Sequence, residues 1–459
     1  MNLRELRRAV QDRAVHSGSA FVRNAFRWLD SLLADYTNLQ AVGLWLAAIA
    51  TGLFAVVYAS AFRLVEQQLE HLIAVYPMAL FGVGPVFFVL AWWLVYKFAP
   101  EASGSGIPQV MAAIDLEYDR TNSKFVDQLL SLRTAVVKIF SSLLCLAGGG
   151  AIGREGPTLQ ISAVIFHSVG KFVRRLYPNS SEQTWVIAGA AAGLASAFNT
   201  PLGGIVYAIE ELGAKHFHKV RTALLSAVII SGLVAQGILG SYLYLGYPQL
   251  QPIPLERWPY VILTGFIAGL GGALFSRVLI RATALRARLK NPWQLAGIAF
   301  LCGVVAVGLI FQSSANFGSG GPLISKILAT NEPASFTLIV SRAVATCAAY
   351  LSGAAGGIFA PSLTIGATLG SKLAILFGSP QINFFAMLGM IGFLTGVTHS
   401  PFTSFILVME MSDRHSAIFP MMVVALLANS AAKSLSHHSF YEVIRDRWLK
   451  IHESAKIKE

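Results

Sequence analysis

The sequence predicts an all-α polytopic membrane protein made of two related halves. Three observations carry that reading: apolar runs recur along the whole chain, charge is scarce, and glycine- and proline-marked segments return in the same order in the second half. Of 459 residues, 55% are hydrophobic and only 13% are charged, and the mean hydropathy is +0.60. A soluble globular chain carries about 25% charged residues, so this apolar excess cannot be hidden in a soluble core of ordinary size.

Taken in order, runs at 41–62, 79–98, 134–150, 186–198, 221–246, 258–275, 293–311, 338–351, 383–398 and 416–432 are apolar enough to cross or enter a bilayer. They leave no room for a large soluble domain between them. The opening MNLRELRRAVQDRAVHSG is basic and lacks an apolar stretch with a small-residue cleavage site, so residues 1–35 read as an amphipathic cytosolic segment, not a signal peptide. The net charge of +12 (35 − 23) raises nucleic acid as a partner, but the Lys and Arg residues sit in short segments beside apolar runs, which favours the membrane. Arg4, Arg7, Arg8, Arg13, Arg23 and Arg27 lead the chain, and Arg445, Arg447, Lys450, Lys456 and Lys458 close it. The positive-inside rule then places both termini in the cytosol, with an even number of crossings. Cys145, Cys302 and Cys347 all lie in apolar runs and read as packing residues, and no His/Cys/Asp spacing resembles a metal site.

The repeat is collinear. Gly104-Ser-Gly-Ile-Pro108 matches Gly318-Ser-Gly-Gly-Pro322, and Pro157, Leu159, Ile161 and Ala163 match Pro361, Leu363, Ile365 and Ala367 at an offset of 204 (361 − 157). Lys138 and Arg342 share that offset, and Pro201 and Glu210 find Pro401 and Glu410 at 200 (401 − 201). The series implies halves of roughly 36–245 and 250–440, with their relative orientation open. Segments after Pro157, Pro201, Pro361 and Pro401 look too short or interrupted for simple spans, so helices are expected to begin at membrane depth. A helix N-terminus there offers unpaired N–H donors and about half a positive charge, which suits a dehydrated anion. The alternative is that these glycines only let helices pack closely.

GSGIP (104–108), GREGP (153–157) and GGIFAP (356–361), in that order and followed by a late tyrosine, resemble the CLC family of chloride channels and chloride/proton antiporters, over about residues 40 to 445. The resemblance implies a homodimer with a separate anion pathway in each subunit, each subunit folded as two inverted-topology repeats of tilted and broken helices over 36–445, ahead of a short cytosolic tail at 446–459. It implies bound chloride with no other cofactor, protons as the second substrate, and a lipid-embedded place in a bacterial inner membrane. Eukaryotic-type C-terminal nucleotide-binding modules are not expected, because the chain closes soon after Tyr441. Carried onto this sequence, Ser105 offers its hydroxyl and Tyr441 its phenol to a central anion, while Ile358 and Phe359 contribute backbone N–H groups. Glu155 resembles the gating glutamate: its carboxylate is itself an anion that can fill the chloride position and leave it when protonated. Arg154 is then a structural partner and not an anion ligand. Within the family, serine at the centre of GSGIP accompanies chloride preference.

Channel and antiporter share these features, and Glu211 separates them. In PLGGIVYAIEELGAKHF, Glu210 recurs as Glu410, whereas Glu211 faces Met411 in the other half, so the asymmetric carboxylate is the functional candidate. Glu211 falls where the family's antiporters carry an internal proton-transfer glutamate, and an ionisable group near the membrane is a functional candidate in its own right. The expectation is chloride/proton exchange, a transport function and not an enzymatic one. A passive chloride channel of the same fold is its rival, and an intramembrane serine hydrolase at Ser105 is a remote one that lacks a base in a recognisable partner motif. Lys138 and Arg342 either raise the potential along the anion path or hold helices together.

Overall fold

Proline and glycine decide where the helices begin. The computed structural model describes residues 36–116, 122–176, 181–212, 217–240, 245–250, 253–412 and 417–456, so the basic opening segment expected over 1–35 lies outside the described residues. The first half runs α1 (Tyr36–Val75), α2 (Ala79–Phe98), α3 (Ile107–Asp115), α4 (Ser123–Leu129), α5 (Leu132–Ala147), α6 (Glu155–Leu176), α7 (Glu182–Phe198), α8 (Pro201–Tyr207) and α9 (Phe217–Leu239). The second half answers it with α10 (Trp258–Ala287), α11 (Pro292–Gln312), α12 (Gly321–Thr330), α13 (Phe336–Leu351), α14 (Phe359–Leu376), α15 (Ile382–Thr398), α16 (Pro401–Ser412) and α17 (Ile418–Leu435). The last helix, α18 (Phe440–Lys456), runs unbroken through residue 445. Apart from α4, each helix of the first half has a counterpart in order.

Eight helical segments among the described residues are long and apolar enough to cross a membrane. Helix α1 has 40 residues, about 60 Å at 1.5 Å per residue, which is twice a hydrocarbon core of about 30 Å. It must tilt steeply or project. One sequence expectation needs correction: the segment after Pro361 is an unbroken helix of 18 residues, apolar enough to cross a membrane, while α6, after Pro157, has 22 residues but is not among the candidate spans. In α6, Gln160, Ser162 and His167 dilute the apolar signal while packing inside the protein. The segments after Pro201 and Pro401 are short, at 7 and 12 residues.

Helices α7 and α15 form the centre. Every residue of α15 is buried, as is almost all of α7, with its AGAAAGLASA run, and a helix apolar all round belongs inside a larger bundle. Helix α6 packs on α7 and α14 on α15, while α1 lies on α9 and α10 on α17. Equivalent helices also pack on each other, α2 on α11 and α8 on α16.

The α8–α16 pair is held reciprocally. Glu210 accepts from the N–H groups of Phe402 (3.1 Å) and Thr403 (2.7 Å), and Glu410 accepts from those of Leu202 (3.1 Å) and Gly203 (2.8 Å). Each carboxylate, Glu210 just beyond the C-terminal end of α8 and Glu410 in the last turn of α16, thus caps the N-terminus of the other helix, at about 0.5–2 kcal/mol per cap. The two helices therefore run antiparallel, the arrangement of an inverted repeat.

Candidate anion and proton site

Three glycine-rich loops, far apart in sequence, are laced together by backbone bonds. Gly104 N–H donates to the Ala354 carbonyl and Gly356 N–H to the Gly104 carbonyl, both at 3.0 Å. Gly153 and Gly357 exchange a mutual pair at 2.8 Å. From α5, Ser141 Oγ accepts from Ala355 N–H (3.0 Å) and donates to the Ala91 carbonyl (2.8 Å). GSGIP, GREGP and GGIFAP consequently meet at one place.

Two of the helices leaving these loops, α6 and α14, start alike. The Arg154 carbonyl accepts from Thr158 N–H and the Ile358 carbonyl from Ser362 N–H, each at 2.9 Å, so Pro157 and Pro361 both occupy the third helical position. The N–H groups of Glu155 and Gly156, and of Phe359 and Ala360, then lack an acceptor within their own helices. Glu155, Ile358, Phe359, Ser105 and Tyr441 are all buried, none more than 1% exposed. The Glu155 carboxylate folds back between the two helix starts: a methyl built on Gly153 would lie 2.2 Å from its Oε2 and 3.2 Å from Ala360 Cβ. Gly156 is pressed against GSGIP, since a methyl there would lie 2.2 Å from Ser105 Oγ. The backbone can approach that closely only without a side chain.

Ser105 Oγ and Tyr441 Oη interact across this space without completing a hydrogen bond of good geometry. The hydroxyl faces a phenol, not an imidazole, which disposes of the hydrolase rival's base. Tyr441 follows Phe440, whose ring meets Tyr350 edge to face, with centroids 5.5 Å apart.

Glu211 sits half-buried where α8 widens into a π turn over Ala208–Leu212, and its Oε2 accepts from Ser400 Oγ at 2.5 Å. Such turns are frequent at functional sites. Sequence reasoning missed Tyr207, one turn before Glu211. Its hydroxyl is fully buried with no hydrogen-bond partner among the described residues, and the ring is in electrostatic reach of both Glu211 and Tyr441. Tyr441 in turn is in reach of Glu155 and Glu211. The one available signal was a tyrosine at i−4 from Glu211 in an otherwise aliphatic helix.

Both buried cations hold loops. Lys138 Nζ donates to the Gly104 carbonyl at 2.9 Å, and Arg342 donates to the carbonyls of Ala315 (2.9 Å), Phe317 (2.6 Å) and Gly318. Each therefore fixes the GSG turn of its own half. The second turn is capped by Glu66 of α1, whose Oε1 accepts from Ser319 N–H at 3.2 Å. In the first, the Ser105 amide points at the neutral Tyr350 hydroxyl. A cavity of about 670 Å³ opens beside Glu66, Glu70, Gly320 and Lys326, away from Glu155.

Arg154 turns from the centre and donates to the Ala197 carbonyl at 3.4 Å. His167 bonds Asp127 (2.9 Å) and Glu182, which also pairs with Arg174. His399 is the left-handed C-cap of α15. Cys145, Cys302 and Cys347 are free thiols in packed surroundings, and no metal-binding cluster occurs among the described residues.

The family described as "Voltage gated chloride channel" matches residues 86–433. The H(+)/Cl(-) exchange transporter ClcA of Salmonella typhimurium is 32% identical over 439 residues, covering 88% of each chain. The crystal structure of a slow cyanobacterial Cl-/H+ antiporter superposes with a TM-score of 0.78 at 26% identity, covering 89% of this chain and 97% of that one. A eukaryotic CLC transporter shares the fold, with a TM-score of 0.72 at 21% identity over 88% of this chain and 73% of its own. On its matched length, its identity to these relatives and its convergent helix starts, the chain belongs to the voltage gated chloride channel (CLC) family.

Proposed function

We propose that this protein is a secondary active transporter that exchanges chloride for protons across a bacterial inner membrane, with both termini in the cytosol and two copies per functional unit. The observation that carries the reading is the pairing of two carboxylates with different surroundings: Glu155 lies between the helix starts, and Glu211 lies at the π turn, with Tyr207 and Tyr441 between them. The names of the bacterial relatives support it.

In this reading a chloride ion is held by Ser105 Oγ, Tyr441 Oη and the N–H groups of Ile358 and Phe359, where positive partial charge is available without a buried Lys or Arg. Glu155 competes for the same donors. When protonated it loses its attraction for them and swings away, so chloride entry and proton uptake are tied to one side chain. A proton cannot follow chloride through a ring of N–H donors, so it travels by Glu211 and passes between hydroxyl groups. Tyr207 lies on that route: its oxygen accepts a proton from the Glu211 side as its own O–H proton is released toward Tyr441 or an intervening water, leaving the phenol unchanged.

Reconstituted liposomes with electrodes for both ions test the proposal. A chloride gradient is expected to drive proton movement in the opposite direction, and Glu211→Gln is expected to abolish proton flux while chloride still moves. Chloride current whose reversal potential ignores a pH gradient would instead identify a passive channel.

A further inference from the structure

On the outer surface of the molecule, α2 and α5 leave between them a groove of about 640 Å³ lined by Leu94, Phe98, Leu132, Val136, Phe140 and Leu144. Apart from Arg133 at one end, every residue lining it is apolar, and Leu132, Val136 and Phe140 are exposed. From Leu132 to Leu144 the α5 wall extends about 18 Å at 1.5 Å per residue, close to one leaflet of a hydrocarbon core about 30 Å thick. Leu132 also borders a second pocket, of about 260 Å³, which is polar and is lined by Asp127, Ser131, His167, Ser168, Lys171 and Arg175. Asp127 is the one carboxylate lining it among the described residues, and both its oxygens are engaged: Oδ1 bonds His167 Nε2 at 2.9 Å and Oδ2 accepts from Lys171 Nζ at 2.6 Å. Arg133 and Arg175 are exposed, and neither forms an ion pair with a described carboxylate. Ser131 Oγ accepts from Thr134 N–H at 3.0 Å, while the N–H groups of Leu132 and Arg133 at the start of α5 have no acceptor within the helix. Trp93, Tyr96 and Lys97 close α2 beside Phe98, with Lys97 Nζ 5.0 Å from the centre of the Trp93 ring. Aromatic and basic residues together at a helix end mark the level of the membrane surface.

We infer that groove and pocket form one site for an anionic phospholipid, with its phosphate and headgroup among Arg133, Lys171, Arg175 and the start of α5, and one acyl chain along the α2–α5 groove. An apolar groove alone would take any acyl chain, and surface cations alone would take any anion. Their junction at Leu132 is what a phospholipid matches, and two arginines without a carboxylate favour a lipid of net negative charge over a zwitterionic one. The occupant holds α5 against α2. Helix α5 carries Lys138 and Ser141, which bond the Gly104 carbonyl and the Ala355 N–H, so the lipid braces the helix that fixes two of the glycine-rich loops. This site does not depend on which ions the protein moves.

Native mass spectrometry of the full chain in detergent, titrated with phosphatidylglycerol or with phosphatidylcholine of identical acyl chains, tests the site. One phosphatidylglycerol per subunit is expected to bind at least tenfold more tightly than phosphatidylcholine. Arg133→Gln combined with Arg175→Gln should abolish that preference and leave phosphatidylcholine binding unchanged. Lysine at both positions should keep the preference, which separates loss of charge from a variant that fails to fold. Val136→Trp fills the groove without touching charge and should weaken both lipids alike. Equal affinity for the two lipids in the unaltered protein, a preference that survives the paired glutamine variant, or phosphatidylglycerol binding untouched by Val136→Trp overturns the inference. A free phosphate offers the same anion without the chain. Inorganic phosphate at millimolar concentration should leave the lipid bound, and its displacing the lipid would reassign the polar pocket to a soluble anion and overturn the phospholipid assignment.

Discussion

The two GSG turns of this protein start from nearly the same sequence and end in opposite states. At 104–106 and at 318–320 both flanking glycines have positive φ, a proline follows within the first helical turn, and a buried cation from a later helix, α5 or α13, holds carbonyl oxygens at the turn. In the second turn, Glu66 supplies a carboxylate to the Ser319 amide, so the negative charge that a helix start attracts is already built into the chain. In the first, the corresponding amide meets a neutral phenol, and the Ser105 hydroxyl stays turned to the centre beside Tyr441. The repeat therefore gives two cradles that differ in one respect: the fold fills the second with its own carboxylate and leaves the first, which we propose receives the diffusible anion.

The largest effect should separate the two cations. Arg342→Met removes the donor for three carbonyls at the closed turn and should cost about 3 kcal/mol or more, since each buried acceptor left unsatisfied costs about 1–3 kcal/mol. Lys138→Met, which frees one carbonyl, should cost less. Thermal unfolding in detergent reads the difference, and equal losses would mean that the closed turn is no more tightly built than the open one.

Next come the glycines. Gly156→Ala places a methyl 2.2 Å from Ser105 Oγ and is expected to weaken halide binding at least tenfold, read by titration calorimetry. Gly320→Ala has φ +83° and a contact at 2.3 Å with Thr364 Oγ1. It should lower stability by about 1–3 kcal/mol with halide affinity unchanged. Loss of affinity in Gly320→Ala would dissolve the distinction between the turns.

The smallest effect concerns symmetry itself. Glu210→Gln and Glu410→Gln each weaken one cap of the α8–α16 pair and should each cost about 1 kcal/mol. A pair of losses differing by more than about 1 kcal/mol would show that only one of the reciprocal caps matters.

Much of this was legible in the residues. The collinear Gly-Pro pattern marks the helix starts, because proline and glycine are residues that open helices, whereas the roles of Glu155, Ser105, Ile358 and Phe359 were implied only by the resemblance of GSGIP, GREGP and GGIFAP to the CLC family. The lengths of α6 and α14 were not legible: Gln160, Ser162 and His167 look like breaks in an apolar run until their packing partners are known. Tyr207 and Glu66 were invisible for another reason. Their meaning comes from neighbours more than 200 residues away, Tyr441 and Ser319, which no local period announces. The cation pair Lys138 and Arg342 was seen as paired, but only carbonyl geometry chose between a tuned anion path and a loop clamp.

The central claim is that the Glu155 carboxylate and a halide contend for the same helix-start donors. It is tested most directly by bromide anomalous maps of the unaltered protein and of Glu155→Ala at one pH. The account predicts a new bromide peak between Gly153 and Ala360 in Glu155→Ala, where the carboxylate oxygen lay, and no new peak at Ser319. An unchanged set of bromide positions would contradict it.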